Sequence, residues 1–396
     1  MVTQKITLER AERFDAPHEI PKEKLLAAAK AATDKLKRLA EQYGYGFPRT
    51  CTKDFKHERL ENNNWECGMY TGCFWLAYEL TGDKFFREVA EEQLKTYRWR
   101  VDNNVAMDTH DVGFVFTPSC TAAYKLTGNE DAKKCALDAA KYFYEHSYSH
   151  KGKFIIRMHG GRHNTSGCRT MMDSLMNAPL LFWTAEQTGN EEYAKAAHDH
   201  NLTTVRYLLR DDASTFHHYM FEPGPETPVR GLTLQGNSDD SCWSRGHSWG
   251  VYGFPIAYSY CKDETLVEAH RNITYFMLNH LPDDLIPYWD YDFVDGDEPR
   301  DSSAGAISVC GLNEMCRMLP EDSADKAIFE SAAAQMLEAI IDNCTGDIGV
   351  DYEGLICHVT HAKPQGQGID ECAVYGDYFY LEALLRYIKP EWKKYW

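Results

Sequence analysis

Trp75-Leu-Ala-Tyr-Glu-Leu-Thr-Gly-Asp83 ends one amphipathic segment and begins another. The chain repeats the phrase as Ala122-Ala-Tyr-Lys-Leu-Thr-Gly-Asn-Glu130 and as Trp183-Thr-Ala-Glu-Gln-Thr-Gly-Asn-Glu191. In each copy an aromatic-rich helix end is followed by Thr-Gly, an acidic residue and a new amphipathic helix. Internal repetition of this kind marks a fold of stacked helical hairpins.

Working outward, Pro21 suits the first turn of a helix, and Lys22 to about Tyr43 carries Leu25, Leu26, Ala29, Ala32, Leu36 and Leu39 at helical period. The same reading predicts helices at about 66–80, 84–101, 111–126, 130–146, 173–187, 191–209, 245–260, 264–280, 302–319, 323–343 and 376–388. Thr-Gly at 81, 127 and 188, Lys262-Asp263, Leu319-Pro320 and Tyr387-Ile-Lys-Pro390 each punctuate the close of a hairpin. Six hairpins closed into a ring predict an all-α (α/α)6 barrel, a six-hairpin toroid. Helix character alternates accordingly. Those starting near 66, 111, 173, 245, 302 and 376 hold Gly, Trp, Tyr, Phe and Cys on most faces, as inner helices should. Their partners are richer in Lys, Glu and Asp, with one apolar stripe. Residues 1–21 read as an N-terminal arm and 22–396 as a single domain, since no linker divides them. Phe154-Ile-Ile-Arg157 and Leu355-Ile-Cys-His-Val359 are candidate short strands, and 12 helices leave little room for others.

With 396 residues, 43% of them hydrophobic, the chain has material for a large core, whereas a formal charge of −18 argues against a nucleic-acid or anionic-membrane partner. Thirteen cysteines without a Cys-x-x-Cys pair signal neither a zinc site nor a disulfide framework, and read as reduced core residues. The amino terminus lacks a secretory apolar core and no stretch is long enough for a membrane span, so a cytoplasmic location is expected.

Two inner helices open with a carboxylate in apolar or aromatic surroundings: Asp111 in His110-Asp-Val-Gly-Phe114 and Asp173 in Met172-Asp-Ser-Leu-Met176. An Asp at a helix start is ordinarily a cap. Two of them on inner helices of one ring can also converge on its axial pit, where burial and mutual repulsion would hold one protonated near neutral pH. A second constellation runs from Gln235 to Trp249. Asp239 or Ser241 is expected to cap the following helix. Arg245 and Trp249, four apart, would share a helix face as a cation beside an aromatic plate, which suits a sugar acid, or else fill the core as a stack. His159-Gly-Gly-Arg-His163, His198-Asp-His200 and His217-His218 lack metal-motif spacing, and His198 and His200 are expected in solvent on an outer helix. Gly44-Tyr-Gly46 and Gly366-Gln-Gly368 lack the context of a nucleotide loop, and there is no Gly-x-Ser-x-Gly elbow. Nine Trp and 24 Tyr supply stacking surfaces for saccharide rings, Trp65, Trp75, Trp243, Trp249 and Trp289 lying at or near inner helices.

Five ordered motifs carry a resemblance. Trp65-Glu-Cys-Gly-Met-Tyr-Thr-Gly-Cys-Phe-Trp75, His110-Asp-Val-Gly-Phe114, Met172-Asp-Ser-Leu-Met-Asn177, Ser238-Asp-Asp-Ser-Cys-Trp-Ser-Arg-Gly-His-Ser-Trp-Gly250 and Gly376-Asp-Tyr-Phe-Tyr-Leu-Glu-Ala383 resemble the unsaturated glucuronyl hydrolases, glycoside hydrolase family 88. The likeness runs from about residue 22 to residue 396. It implies an (α/α)6 barrel and release of a C4=C5 unsaturated uronic acid from the non-reducing end of lyase-generated glycosaminoglycan oligosaccharides. The reaction it implies is hydration of the vinyl ether: Asp173 protonates C4 and then activates the water that adds at C5, while Asp111 orients the ring and helps raise the first acid's pKa. By the same resemblance Trp65, His110, His217, Gln235, Arg245 and Trp249 contact substrate, Arg245 partners its carboxylate, and no metal or organic cofactor is needed.

Two departures bear on specificity. Met158 stands where relatives often place a Trp. Ala362, Gln365 and Gln367 stand where some relatives that favour 6-sulfated disaccharides carry Ser-x-x-Ser-x-Lys, with Lys363 as a candidate replacement charge. An unsaturated rhamnogalacturonyl hydrolase acting on pectin fragments is the nearest alternative, and a helical-repeat binding scaffold the non-enzymatic one. The preferred glycosaminoglycan and the oligomeric state are not legible.

Overall fold

The repeated Thr-Gly phrase folds into three equivalent turns. Gly82, Gly128 and Gly189 each end a helix in the left-handed region, at φ 72°, 70° and 70°. A β-carbon there is disfavoured, and the glycine amide closes the last turn by donating four residues back. The next helix starts at once, because Asp83, Asn129 and Asn190 accept from the backbone amides of Phe85, Ala132 and Glu192. Lys262 and Asp263 make a fourth such turn with a left-handed lysine in place of glycine.

The structure, a computed structural model, describes residues 5–157, 168–224, 226–347 and 349–396. The described helices are α1 (Lys22–Tyr43), α2 (Cys67–Thr81), α3 (Lys84–Asp102), α4 (Val112–Phe116), α5 (Ala122–Thr127), α6 (Glu130–Ser147), α7 (Pro179–Thr188), α8 (Glu191–Leu208), α9 (Ser244–Cys261), α10 (Glu264–Asn279), α11 (Ser302–Cys316), α12 (Ala324–Asn343) and α13 (Val374–Ile388). The inner wall runs α2, α4 with α5, α7, α9, α11, α13, and closes where α13 packs on α2. Helices α1, α3, α6, α8, α10 and α12 form the outer layer. The result is the expected (α/α)6 barrel.

Two expected inner helices are broken. The one at 111–126 opens into a π-turn over Thr117–Thr121 between α4 and α5. Pro118 has no amide proton to continue the ladder, and a wider turn absorbs the missing bond. The one at 173–187 begins instead as a 3-10 turn, Met172–Met176, and α7 restarts at Pro179. Phe154–Ile155 is a strand, paired with Tyr148–Ser149, whereas 355–359 forms none. A three-stranded antiparallel sheet of Arg169–Met171, His218–Phe221 and Pro228–Leu232 was not anticipated. The arm is docked, not loose: Ile6 and Glu9 amides donate to Asn272 and Asn279 on α10, and Ser331 and Gln335 on α12 bond the arm's carbonyls at Ala16 and Arg13.

The connections sort by length. Those from inner to outer helix at 82–83, 128–129, 189–190 and 262–263 are two residues long. Those from outer to inner, at 44–66, 103–111, 148–178, 209–243, 280–301 and 344–373, are long. Because helices in such a ring alternate in direction, the long segments gather at the rim where the inner helices begin. At the other rim residues 389–396 close the barrel. Trp396 is 1% exposed, stacks on Phe379 and meets the edge of Phe114, while Lys125 Nζ holds the Tyr395 carbonyl at 2.6 Å.

Candidate active site

Asp111 and Asp173 arrive on two of those long connections, and a close backbone contact brings them together. Gly113 sits against Asn177, so near that a β-carbon would lie 2.4 Å from the Asn177 Cα. Asn177 then stitches the two segments, its Oδ1 accepting from the Phe114 amide at 2.7 Å and its Nδ2 donating to the Asp173 carbonyl at 3.2 Å. Neither aspartate spends its side chain on capping a helix.

Between the two carboxylates stands His110. Its Nε2 is 3.2 Å from Asp111 Oδ1 and 3.2 Å from Asp173 Oδ1, and His217 Nε2 lies 3.5 Å from Asp173 Oδ2. Both acid side chains are only 13% exposed. The unanticipated sheet places His217 here: the Met172 amide donates to the His217 carbonyl at 2.9 Å, so the strand ends deliver the acid and the imidazole to one spot. Thr109 Oγ1 donates to Asp111 Oδ2 at 2.8 Å, and Arg157 Nη1 is 3.8 Å from the same oxygen.

Electrostatics depart from expectation. Burial pushes the Asp173 carboxyl up, but His110, then His217 and Arg157, outweigh it and hold the group below its ordinary value. Burial alone therefore does not keep a proton on Asp173 in the free site, because Arg157 and the imidazoles around it favour the carboxylate. The His217 imidazole is pushed down to about 4, chiefly by burial. One ligand atom each from His110, Asp111 and Asp173 lie within 4.8 Å of one another, a spacing a metal ion accepts. Arg157 already supplies positive charge at that point.

The remaining expected contacts divide. Trp65, half-buried, stacks on Tyr375 at 5.6 Å and leans on Phe114, presenting a platform near the acids. Gln235 is half-buried on the loop after the sheet, where Gln365 reaches across to the neighbouring Leu234 carbonyl. Arg245 and Trp249 do not form the expected plate and cation. Arg245 is 2% exposed and sits between the rings of Trp243 and Tyr375, at 4.5 and 4.6 Å. It donates to Asp301 and to the carbonyls of Thr360 and His361, and so is committed within the protein. Trp249 packs between Phe114 and Phe379, beneath the platform. Neither Asp239 nor Ser241 caps α9, whose N-cap is Trp243. Ser241 donates to Asp290, and Asp239 pairs with Arg230. Lys363 is paired with Glu298 over the Trp289 ring.

His200 is fully buried with Nδ1 accepting from the Ile155 amide, and His198 is bonded to Asp263, so neither is in open solvent. Met158 and His159-Gly-Gly-Arg-His163 lie outside the described residues. Sequence reasoning missed Thr109, Arg157 and Asn177. Thr109 adjoins a quoted motif, Asn177 ends one without having been given a role, and Arg157 ended a candidate strand, an odd place for a charge.

A helical toroid with two carboxylates gathered on one histidine, beside an aromatic platform, defines a glycoside hydrolase. Residues 42–386 match Glycosyl Hydrolase Family 88. The chain is 38% identical over 397 residues to the unsaturated chondroitin disaccharide hydrolase of Streptococcus pneumoniae, covering 99% of this chain and 100% of the relative. It is 36% identical to the unsaturated glucuronyl hydrolase of Bacillus sp. (strain GL1), covering 88% and 93%. It superposes on the crystal structure of the Streptococcus agalactiae unsaturated glucuronyl hydrolase with a TM-score of 0.94 at 36% identity, over 99% and 98% of the two chains. A variant of that enzyme complexed with dGlcA-GalNAc6S gives 0.88 at 34%, with the same coverage. The chain belongs to glycosyl hydrolase family 88.

Proposed function

We propose that this enzyme removes a C4=C5 unsaturated uronic acid from the non-reducing end of lyase-generated glycosaminoglycan fragments by hydrating the vinyl ether. The observation that carries the reading is the junction of Asp111 and Asp173 on His110. Protonating C4 places oxocarbenium character at C5 and the ring oxygen. One neighbouring group must deliver the proton and a second, anionic one must stabilise the cation. Asp173 is the proton donor in this reading and then, as carboxylate, draws a proton from the water that adds at C5. Asp111 faces the developing charge in this reading. The hemiketal so formed opens, and the next sugar leaves with its oxygen protonated.

Because the free site favours the Asp173 carboxylate, Asp173 must take up its proton from solvent as substrate binds. A uronate carboxylate bound beside the acids adds a like charge, which raises the pKa of the acid next to it. Trp65 serves as the stacking platform, and His217 and Gln235 face the sugar hydroxyls. Arg157, not the committed Arg245, is the cation nearest the acid pair. The thirteen cysteines are all unpaired, which suits a reducing, cytoplasmic setting.

The test follows the absorbance of the double bond with unsaturated disaccharides from chondroitin, hyaluronan and heparin, and with a rhamnose-linked pectin fragment. Asp173→Asn should lose roughly 10² to 10⁴ in rate. Ordinary turnover by that variant overturns the acid assignment, and preference for the rhamnose-linked fragment overturns the substrate class.

A further inference from the structure

Arg157 touches both acid-bearing segments. Its backbone forms a bridge with Arg169, amide to carbonyl in both directions at 2.8 and 3.3 Å, and Arg169 opens the strand that leads to Asp173. Its side chain turns the other way. Nη1 lies 3.1 Å from Thr109 Oγ1 and 3.3 Å from His110 Nδ1.

A guanidinium has only donors. Thr109 Oγ1 accepts from Arg157 while donating its own hydrogen bond to Asp111 Oδ2. Facing the same nitrogen, His110 Nδ1 has to offer a lone pair, because a proton there would point at another N–H. The single proton of the imidazole is then on Nε2, the atom equidistant from the two carboxylates. In the other tautomer Nε2 would turn its lone pair on two carboxylate oxygens, an arrangement repulsive on both sides. A doubly protonated ring meets the same obstacle at Nδ1.

We infer that Arg157 is a positioning residue that fixes the His110 tautomer, so that one N–H is held between Asp111 and Asp173. This deepens the catalytic reading above and rests on it for its kinetic consequence, though not for the tautomer itself. In the free site that N–H faces both carboxylates from 3.2 Å and closes a hydrogen bond to neither, leaving Asp173 able to take up a proton when substrate binds. The positive charge of Arg157 also lowers the Asp173 carboxyl. Removing it therefore moves the ionisation of that acid, and with it the basic limb of the rate profile, to higher pH.

The test is nitrogen-15 NMR of the histidine-labelled enzyme, with the His110 signals identified by their loss in His110→Asn. The native protein should show Nε2 protonated and Nδ1 bare. Arg157→Met should mix or reverse the tautomers, lower kcat roughly a hundredfold, the loss typical of one preorganised hydrogen bond, change KM less, and shift the basic limb upward. Arg157→Lys, which retains a donor, should recover the native tautomer and part of kcat. A protonated Nδ1 in the native spectrum overturns the inference even if the Met variant does not fold. So does an unchanged tautomer and pH profile in a folded Arg157→Met. Expected spectra in an enzyme inert toward every unsaturated saccharide would instead overturn the proposed reaction.

Discussion

Arg245 donates from Nη1 to the Asp301 carboxylate with both side chains out of solvent, 2% and 0% exposed. Asp301 stands immediately before α11 and accepts from the Ser303 hydroxyl of its first turn, and the Thr360 and His361 carbonyls on the same guanidinium belong to the long loop before α13. The pair thus fastens a rim loop to the inner wall. Deleting one partner of a buried ion pair strands the other charge, at a cost of about 3–5 kcal/mol. Asp301→Ala should lose that much stability in urea denaturation. Arg245→Lys should not rescue the fold, since one ammonium cannot replace the forked contacts.

Lys363 and Glu298 make a pair whose side chains are about one-third exposed. Such pairs contribute no more than ~1 kcal/mol. Glu298→Gln should therefore leave melting nearly unchanged while freeing the ammonium. KM for a 6-sulfated unsaturated disaccharide should fall by up to about fivefold, the equivalent of ~1 kcal/mol, and KM for the unsulfated one should stay the same.

Glu314 gives a signed pH dependence. Burial pushes its carboxyl up, but Arg386 at 2.9 Å and Lys394 at 2.7 Å outweigh it and hold it at about 2. A depressed folded value means the stabilisation is complete above the unfolded carboxylate range, near 4.5, and is lost as pH falls toward 2. Glu314→Gln should destabilise the protein by about 3 kcal/mol at pH 7, and the difference from the native chain should vanish near pH 2. Denaturant titrations at a series of pH values check this.

Trp396 lies under the site although it belongs to the opposite rim. Its ring meets Phe114 at 6.2 Å, and Phe114 carries Trp65 at 5.4 Å and Trp249 at 5.2 Å. Its Nε1 donates to Glu382 at 3.1 Å. Trp396→Ala should cost about 3–5 kcal/mol, as buried Trp truncations do, and should raise KM as the platform loses its support. Trp396→Phe should keep most of both. Calorimetry and steady-state kinetics separate the two effects.

The ring of hairpins was legible because its signals are local: a glycine that must adopt positive φ, and a change from all-round apolar to one-sided helices. The acid pair was legible as two carboxylates in apolar surroundings, but the group that joins them was not. His110 between Asp111 and Asp173 depends on Gly113 touching Asn177 and on a sheet pairing residues 169–171 with 218–221. Those contacts link distant parts of the chain through short strands with little periodicity. Arg245 misled for a related reason. Helical spacing places it four residues from Trp249, yet Asp301 and the 360–361 carbonyls, more than fifty residues away, decide where its charge is spent. The charge state of Asp173 was hidden in the same way, since His110, Arg157 and His217, which favour its carboxylate, come from three separate segments.

The two-residue turns sit on one rim and every acid, imidazole and platform residue on the other. The scaffold is sewn shut at a face that never meets sugar, and the reactive face is spelled by segments whose length the stitching does not dictate. Lineages of this architecture can therefore exchange or lengthen a mouth segment such as 222–243 or 353–373 to read a different saccharide while the barrel beneath goes on folding in the same way.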